Sequence, residues 1–252
     1  MKRLFTILSA LSLIATACHR EPYADAFITP NPAYVGEDIK FDNISINTDY
    51  VEWDMGDGTS STAYNLKHYY IDPGTYTVTQ RAFRDKGGVN VASHVVEVWG
   101  AELEIIVQEY YDIGAPEGAL IPGASVMLYP TLSDWENFTN PVVQYIDGVA
   151  VTELFTNSIG KVVFDDLSYQ SYYVDVWHQN WSNEPLAFED VGWIETQMLE
   201  GAYYQTFIAF VDPVEFTMKS TSRPEGQLRK LEDAAPAQKR DLMINKISKP
   251  RK

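Results

Sequence analysis

Two acid pairs are the first residues in this chain that could do chemistry. Asp165-Asp166 and Glu189-Asp190 each place carboxylates side by side, the group type that glycoside hydrolysis uses. Neighbours on a strand point to opposite faces, so neither pair is arranged for joint work on one substrate atom. Both read as solvated surface charge. His68 and His94 lie in strand-like segments and read as packing residues rather than ligands. Asp54 and Asp57 offer oxygens to Ca²⁺, but that ion takes six or more, and the turn around them lacks dense acidic spacing. The sequence contains no Gly-x-Ser-x-Gly elbow, His-Glu-x-x-His helix or phosphate loop. A non-catalytic chain with no metal and no cofactor is expected.

Aromatic residues offer recognition instead. Trp135, Trp181 and Trp193 sit in connections between strand-like runs. Loops on a rigid scaffold commonly carry binding. An exposed Trp there stacks on a sugar ring or anchors a protein partner. These three are the candidate ligand-binding residues; the other reading packs them beneath their own loops. Trp177 ends a strand and is expected in the core.

Charge narrows the partners. The chain of 252 residues carries −16. Residues 21–218 hold six Lys/Arg against 31 Asp/Glu, a net of −25. Residues 219–252 hold ten Lys/Arg against four Asp/Glu, a net of +6. An acidic body repels nucleic acid and anionic lipid, so neither is an expected partner of it. The basic tail, 219–252, is expected to be mostly disordered without a partner.

The N-terminus gives an address. Lys2-Arg3 precedes an apolar run from Leu4 to Ala15, then Thr16-Ala17-Cys18. A short basic region, an apolar core and small residues form a secretory signal. The run is shorter than the ~20 residues that span a bilayer. Cys18 is the single cysteine of the chain. Its position resembles a bacterial lipobox, whose cysteine is lipidated and becomes the first mature residue. That resemblance implies residues 1–17 as lipoprotein signal peptide, 18–26 as a tether and a membrane anchor through Cys18. It also implies an exported protein, at the outer membrane, with the surface and periplasmic faces both open. An ordinary signal-peptidase site with an incidental Cys18 is the other reading.

The elements that must position all this are strands. Val51 and Trp53 share one face, and Gly56-Asp57-Gly58 follows as a tight turn. Asp54 and Asp57 can bond nearby backbone N–H groups and hold that turn. Pro73-Gly74 is a second turn, and Tyr76 and Val78 alternate inward with outward threonines. Trp53, Asp54, Gly56, Asp57, Gly58, His68 and Tyr76 in this order resemble the PKD domain, an immunoglobulin-like β-sandwich, over residues 27–99. Met55 takes the place of an aromatic in that pattern. The resemblance implies a structural His68 and a core Trp53.

A second series begins at Leu103–Val107 and continues through Val126 and Leu128, Val162 and Phe164, and Tyr172–Trp177. Each run alternates between turn residues. It resembles the carboxypeptidase-regulatory and transthyretin-like sandwiches over residues 101–218, with a last strand expected at Phe210–Met218. The first strand has no Lys, so the isopeptide cross-link of some adhesin relatives is not expected. The pairing of modules resembles lipoproteins of the Bacteroidetes type. The expectation is an all-β protein of two tandem sandwiches, a cell-envelope binding module for glycan or protein. The alternative is a structural spacer in a periplasmic or secretion assembly.

Overall fold

The computed structural model describes residues 20–85, 87–111, 117–213 and 243–249. The expected signal peptide, Cys18 and tail residues 214–242 and 250–252 lie outside the described residues.

The fold is all-β. Its first unit contains β1 (Ala26–Thr29), β2 (Ala33–Tyr34), β3 (Ile39–Asn43), β4 (Tyr50–Asp54), β5 (Ser60–Ser61), β6 (Leu66–His68), β7 (Gly74–Arg84) and β8 (Gly88–Trp99). One sheet runs β1-β3-β6 and the other β2-β8-β7-β4-β5. Alternation sets the core: Ile39 and Phe41 on β3 face Val51 and Trp53 on β4, and all four are buried. Trp53 meets Phe41 edge-on at 6.1 Å between centroids. Its indole N–H donates to the Ala63 carbonyl at 2.9 Å, so the large ring is buried without leaving its donor unpaired. The β7–β8 hairpin pairs from Gly74↔Val98 to Arg84↔Gly88.

The chain then passes through Gly100 directly into the second unit. This comprises β9 (Ala101–Tyr110), β10 (Glu117–Leu120), β11 (Ser125–Tyr129), α1 (Leu132–Asn137), β12 (Gln144–Ile146), β13 (Val149–Val151), β14 (Leu154–Phe155), β15 (Lys161–Leu167), β16 (Tyr173–His178), β17 (Trp181–Ser182), α2 (Glu184–Glu189), β18 (Tyr203–Pro213) and β19 (Met243–Ser248). Hydrogen bonding runs β10-β9-β18-β17-β16-β11-β14, with β15 also on β9 and β19 also on β18. The β9–β18 pair is parallel, from Tyr204↔Glu102 to Val211↔Glu109. Short β17 joins β16 to the end of β18 and so connects the two faces of the sandwich. Among the described residues, the main cluster of buried apolar side chains includes Phe41 and Trp53 of the first unit and Leu103, Phe164 and Phe207 of the second, with two smaller clusters around Trp135 and Trp193.

Five expectations need correction. Asp190, read as solvated surface charge, is 3% exposed, and its Oδ1 accepts from Gly192 N–H at 2.8 Å. Residues 20–26, read as a polar tether, pack on the first sandwich. Tyr23 and Ile46 exchange backbone hydrogen bonds at 3.0 Å, and Ala24 N–H donates to Asn90 Oδ1 at 2.9 Å. The last strand of the second sandwich begins at Tyr203, seven residues before the expected Phe210. Part of the basic tail is ordered: β19 pairs antiparallel with β18, Tyr203↔Ser248 and Tyr204↔Ile247 among its partners. Asp165 and Asp166 do not straddle the sheet. The β15–β9 register shifts between Phe164 and Leu167, Asp166 has φ 54°, and both carboxylates are exposed. A bulge adds a residue and turns the local alternation.

Trp53→Ala should cost about 3–5 kcal/mol of first-sandwich stability, read by chemical denaturation followed at its own transition. Gly100 has no room for a side chain, since a Cβ there would lie 2.4 Å from Asp166 Cα. Gly100→Ala should therefore destabilise by about 1–3 kcal/mol and lower the melting temperature of the second sandwich.

Candidate functional site

The turn after β4 builds one wall of a cleft. Asp54 Oδ1 accepts from Gly56 N–H at 3.0 Å. Asp57 Oδ1 accepts from Thr59 N–H at 2.9 Å and from Thr59 Oγ1 at 2.6 Å. Gly56 has φ +79°, and a Cβ there would meet the Thr77 carbonyl oxygen at 2.7 Å. The turn thus closes only with glycine at this position. It leaves Asp57 Oδ2 pointing at His68, which β6 delivers, with Nε2 at 2.7 Å.

Aromatic rings form the back of the cleft. The His68 ring lies edge-on to Tyr70 at 4.8 Å, and Tyr70 stacks on Tyr76 at 3.9 Å. Tyr70 is buried and donates its hydroxyl to the Met55 carbonyl at 2.8 Å. Tyr76 donates to the Asp72 carbonyl at 2.8 Å. Burial raises both phenols above their ordinary range, and nearby carboxylates add to it. Burial also pushes the Asp57 carboxyl up. Hydrogen bonds from Thr59 and His68 outweigh that and hold it below the usual 3.8.

The second sandwich supplies the far rim. The segment after β15 reaches back: Tyr169 N–H donates to the Ile71 carbonyl at 2.8 Å, and Ser168 Oγ donates to Asp72 Oδ1 at 2.6 Å. Tyr169 lies edge-on to Tyr69 at 5.9 Å. The cavity is about 340 Å³ and is lined by Asp57, Thr59, His68, Tyr69, Ile71, Asp72 and Tyr76. Tyr69 is 47% exposed. The cleft therefore offers an open aromatic face flanked by two carboxylates, a surface for a hydroxyl-rich or basic group.

Sequence reading reached Asp57, His68 and Tyr76 of this cleft as structural motif residues and missed Thr59, Tyr69, Ile71 and Asp72. The signal was present in His68-Tyr69-Tyr70. Just past the end of β6, Tyr70 turns into the core and Tyr69 beside it turns outward.

The three tryptophans chosen for binding do not form a site. Trp135 lies in α1, is fully buried and donates its indole N–H to the Val174 carbonyl at 3.1 Å. Trp193 is 5% exposed and meets Tyr110 and Phe210 edge-on. Trp181 is half-buried on β17 and packs against the main core. Their connections fold into short helical turns that cover the outer face of β16. That strand is consequently buried on both sides, Trp177 included. Among the described residues, no three His, Cys, Asp or Glu side chains are grouped to hold a metal ion.

Two stacked β-sandwich units, mainly antiparallel but with the parallel pairs β2–β8 and β9–β18, and a cleft beside their junction make an all-β sandwich protein. Within it, residues 19–99 match the family model of the PKD domain. The chain is similar to the PKD1 domain of Vibrio anguillarum Epp, with 24% identity, 32% of this chain and 95% of that one covered, and a TM-score of 0.28. The PKD1 domain of the Vibrio cholerae metalloprotease PrtV gives 24% identity over 31% of this chain and 98% of that one, with a TM-score of 0.28. The minor pilin GBS52 of Streptococcus agalactiae gives 16% identity over 69% and 86%, with a TM-score of 0.31.

Asp57 links the cleft to pH. Its folded value is depressed, so its stabilisation is complete well above 3.8 and is lost as pH falls through the folded value. The pair is partly exposed, so water screens it. Asp57→Asn should cost about 1 kcal/mol at neutral pH. It should also flatten the fall in first-sandwich melting temperature below about pH 4, measured by thermal scans from pH 7 to pH 3.

Proposed function

We propose that this chain is a non-catalytic, lipid-anchored cell-envelope protein that binds a glycan or an envelope protein in the junction cleft. The observation that carries this is the open ring of Tyr69 beside the Asp57 and Asp72 carboxylates, held on a rigid seam. Cys18 is the proposed lipidation site, and the proposed address is the outer membrane. The second unit is proposed to be a transthyretin-like or carboxypeptidase-regulatory-like sandwich, on the grammar of its alternating strands. PKD domains and sandwich modules serve many functions, so the site rather than the fold supports the reading.

A structural spacer is the second reading, and a specific observation favours it. The Ser168–Asp72 and Tyr169–Ile71 bonds hold the two units against each other, as a rigid rod requires.

A glycan array and an envelope pull-down, run with native chain and with Tyr69→Ala, separate the two. Binding that falls at least tenfold in Tyr69→Ala, with an unchanged melting temperature, supports the cleft. No ligand in either screen, with long-range distances between the units unchanged by spin-label spectroscopy, supports the spacer. Protease shaving of intact and lysed cells reports the membrane face, and loss of a palmitate label in Cys18→Ser tests the anchor.

A further inference from the structure

Strand β18 has one edge taken by β9 throughout Tyr204–Val211. Its other edge is shared. β17 covers only Asp212 and Pro213, and β19 covers Tyr203–Phe207. Gln205, Thr206 and Phe207 are buried. Without β19, the N–H and C=O groups along that stretch would form an open edge, which is a template for another strand. Beyond β19, Lys249 completes the seat. Its N–H donates to the Ala202 carbonyl at 2.8 Å. Its ammonium lies 5.5 Å from the Tyr34 ring centroid and 5.3 Å from that of Tyr204. Glu102 Oε2 is 3.9 Å away, and the lysine side chain is 9% exposed. Tyr34 belongs to the first sandwich and Tyr204 to the second, so one lysine touches both units.

Chain continuity does not dictate this pairing. Ordinary antiparallel neighbours are joined by about 2–5 residues. Here 29 residues lie between Pro213 and Met243. Recognition therefore resides in the strand and its seat: backbone pairing supplies affinity and the lysine pocket supplies selectivity. Charge agrees, since the segment 219–252 carries +6 and the body −25.

We propose that the outer edge of β18, with the Tyr34–Tyr204–Glu102 pocket, is a strand-acceptor site for the segment Met243–Lys249. One chain fills it in cis, and the same segment of a second copy fills it in trans. A tether of this length holds the cis strand at an effective concentration on the order of 1 mM. Dilute chains are therefore monomers, and exchange between copies sets in as their local concentration approaches that value.

The test uses the full chain carrying Lys249→Glu, whose own strand is weakened while its seat is intact, and a fluorescent peptide of residues 243–252. The peptide should bind this variant with an apparent Kd at least tenfold below that for the native chain, whose own strand competes. A peptide bearing the same Lys249→Glu change should bind at least tenfold more weakly, as should the native peptide when Glu102→Gln is added to the acceptor. Equal binding to native and variant chains, or no binding to a variant whose near-UV circular dichroism matches the native chain, would overturn the proposal. If the variant loses that signal, sedimentation of the native chain from 10 µM to 1 mM, ranges set by the tether estimate, decides the question. A dimer that forms at the upper end and is dispersed by excess peptide supports exchange; a monomer throughout refutes it.

Discussion

Gly100 is the constraint on which the rest of the molecule depends. It alone separates the last residue of β8 from the first of β9. So short a link gives the two sandwiches no freedom to stand apart, and the Asp166 backbone closes over it at a distance only glycine allows. Close apposition then has consequences along the whole seam. Gly36 lies under the Tyr169 ring, and Gly201 lies against Tyr34 and Val35, both too near for a side chain. Gly201 N–H donates to the Val35 carbonyl at 3.2 Å. The hydrophobic cluster runs through the junction instead of ending at it.

Both candidate sites lie against that seam. The cleft has its floor and acid wall in the first sandwich, while Ser168 and Tyr169 of the second secure its rim. The lysine seat takes Tyr34 from one unit and Tyr204 and Glu102 from the other. The lysine seat needs both sandwiches, whereas the residues that line the cleft all belong to the first.

The Gly-Asp-Gly turn shows how a motif can serve fold and site together. Its hydrogen bonds close the β4 turn, and the same geometry leaves one oxygen of Asp57 free to meet His68. The structural reading of His68 from the sequence and its position in the cleft wall are therefore compatible. The histidine holds the turn against the aromatic stack, and the stack faces the opening.

Residue pattern alone determined that this chain is all-β, that Trp53, Val126 and Phe164 face a core, and, from the glycines themselves, that Gly56 and Gly58 turn the chain. These are local properties, because side-chain direction along a strand repeats every two residues. Alternation could not determine what lies on the far side of a loop. Trp135 and Trp193 are buried because α1, α2 and the adjoining turn fold onto β16, and no residue near either one in sequence announces that layer. Tyr69 is open because Tyr169, a hundred residues away, meets it edge-on instead of covering it. The basic tail reads as unpaired from its composition, yet residues 243–248 pair with the edge of β18, which is distant in sequence. Local pattern determined which way each side chain turns; long-range packing decided what it turns toward.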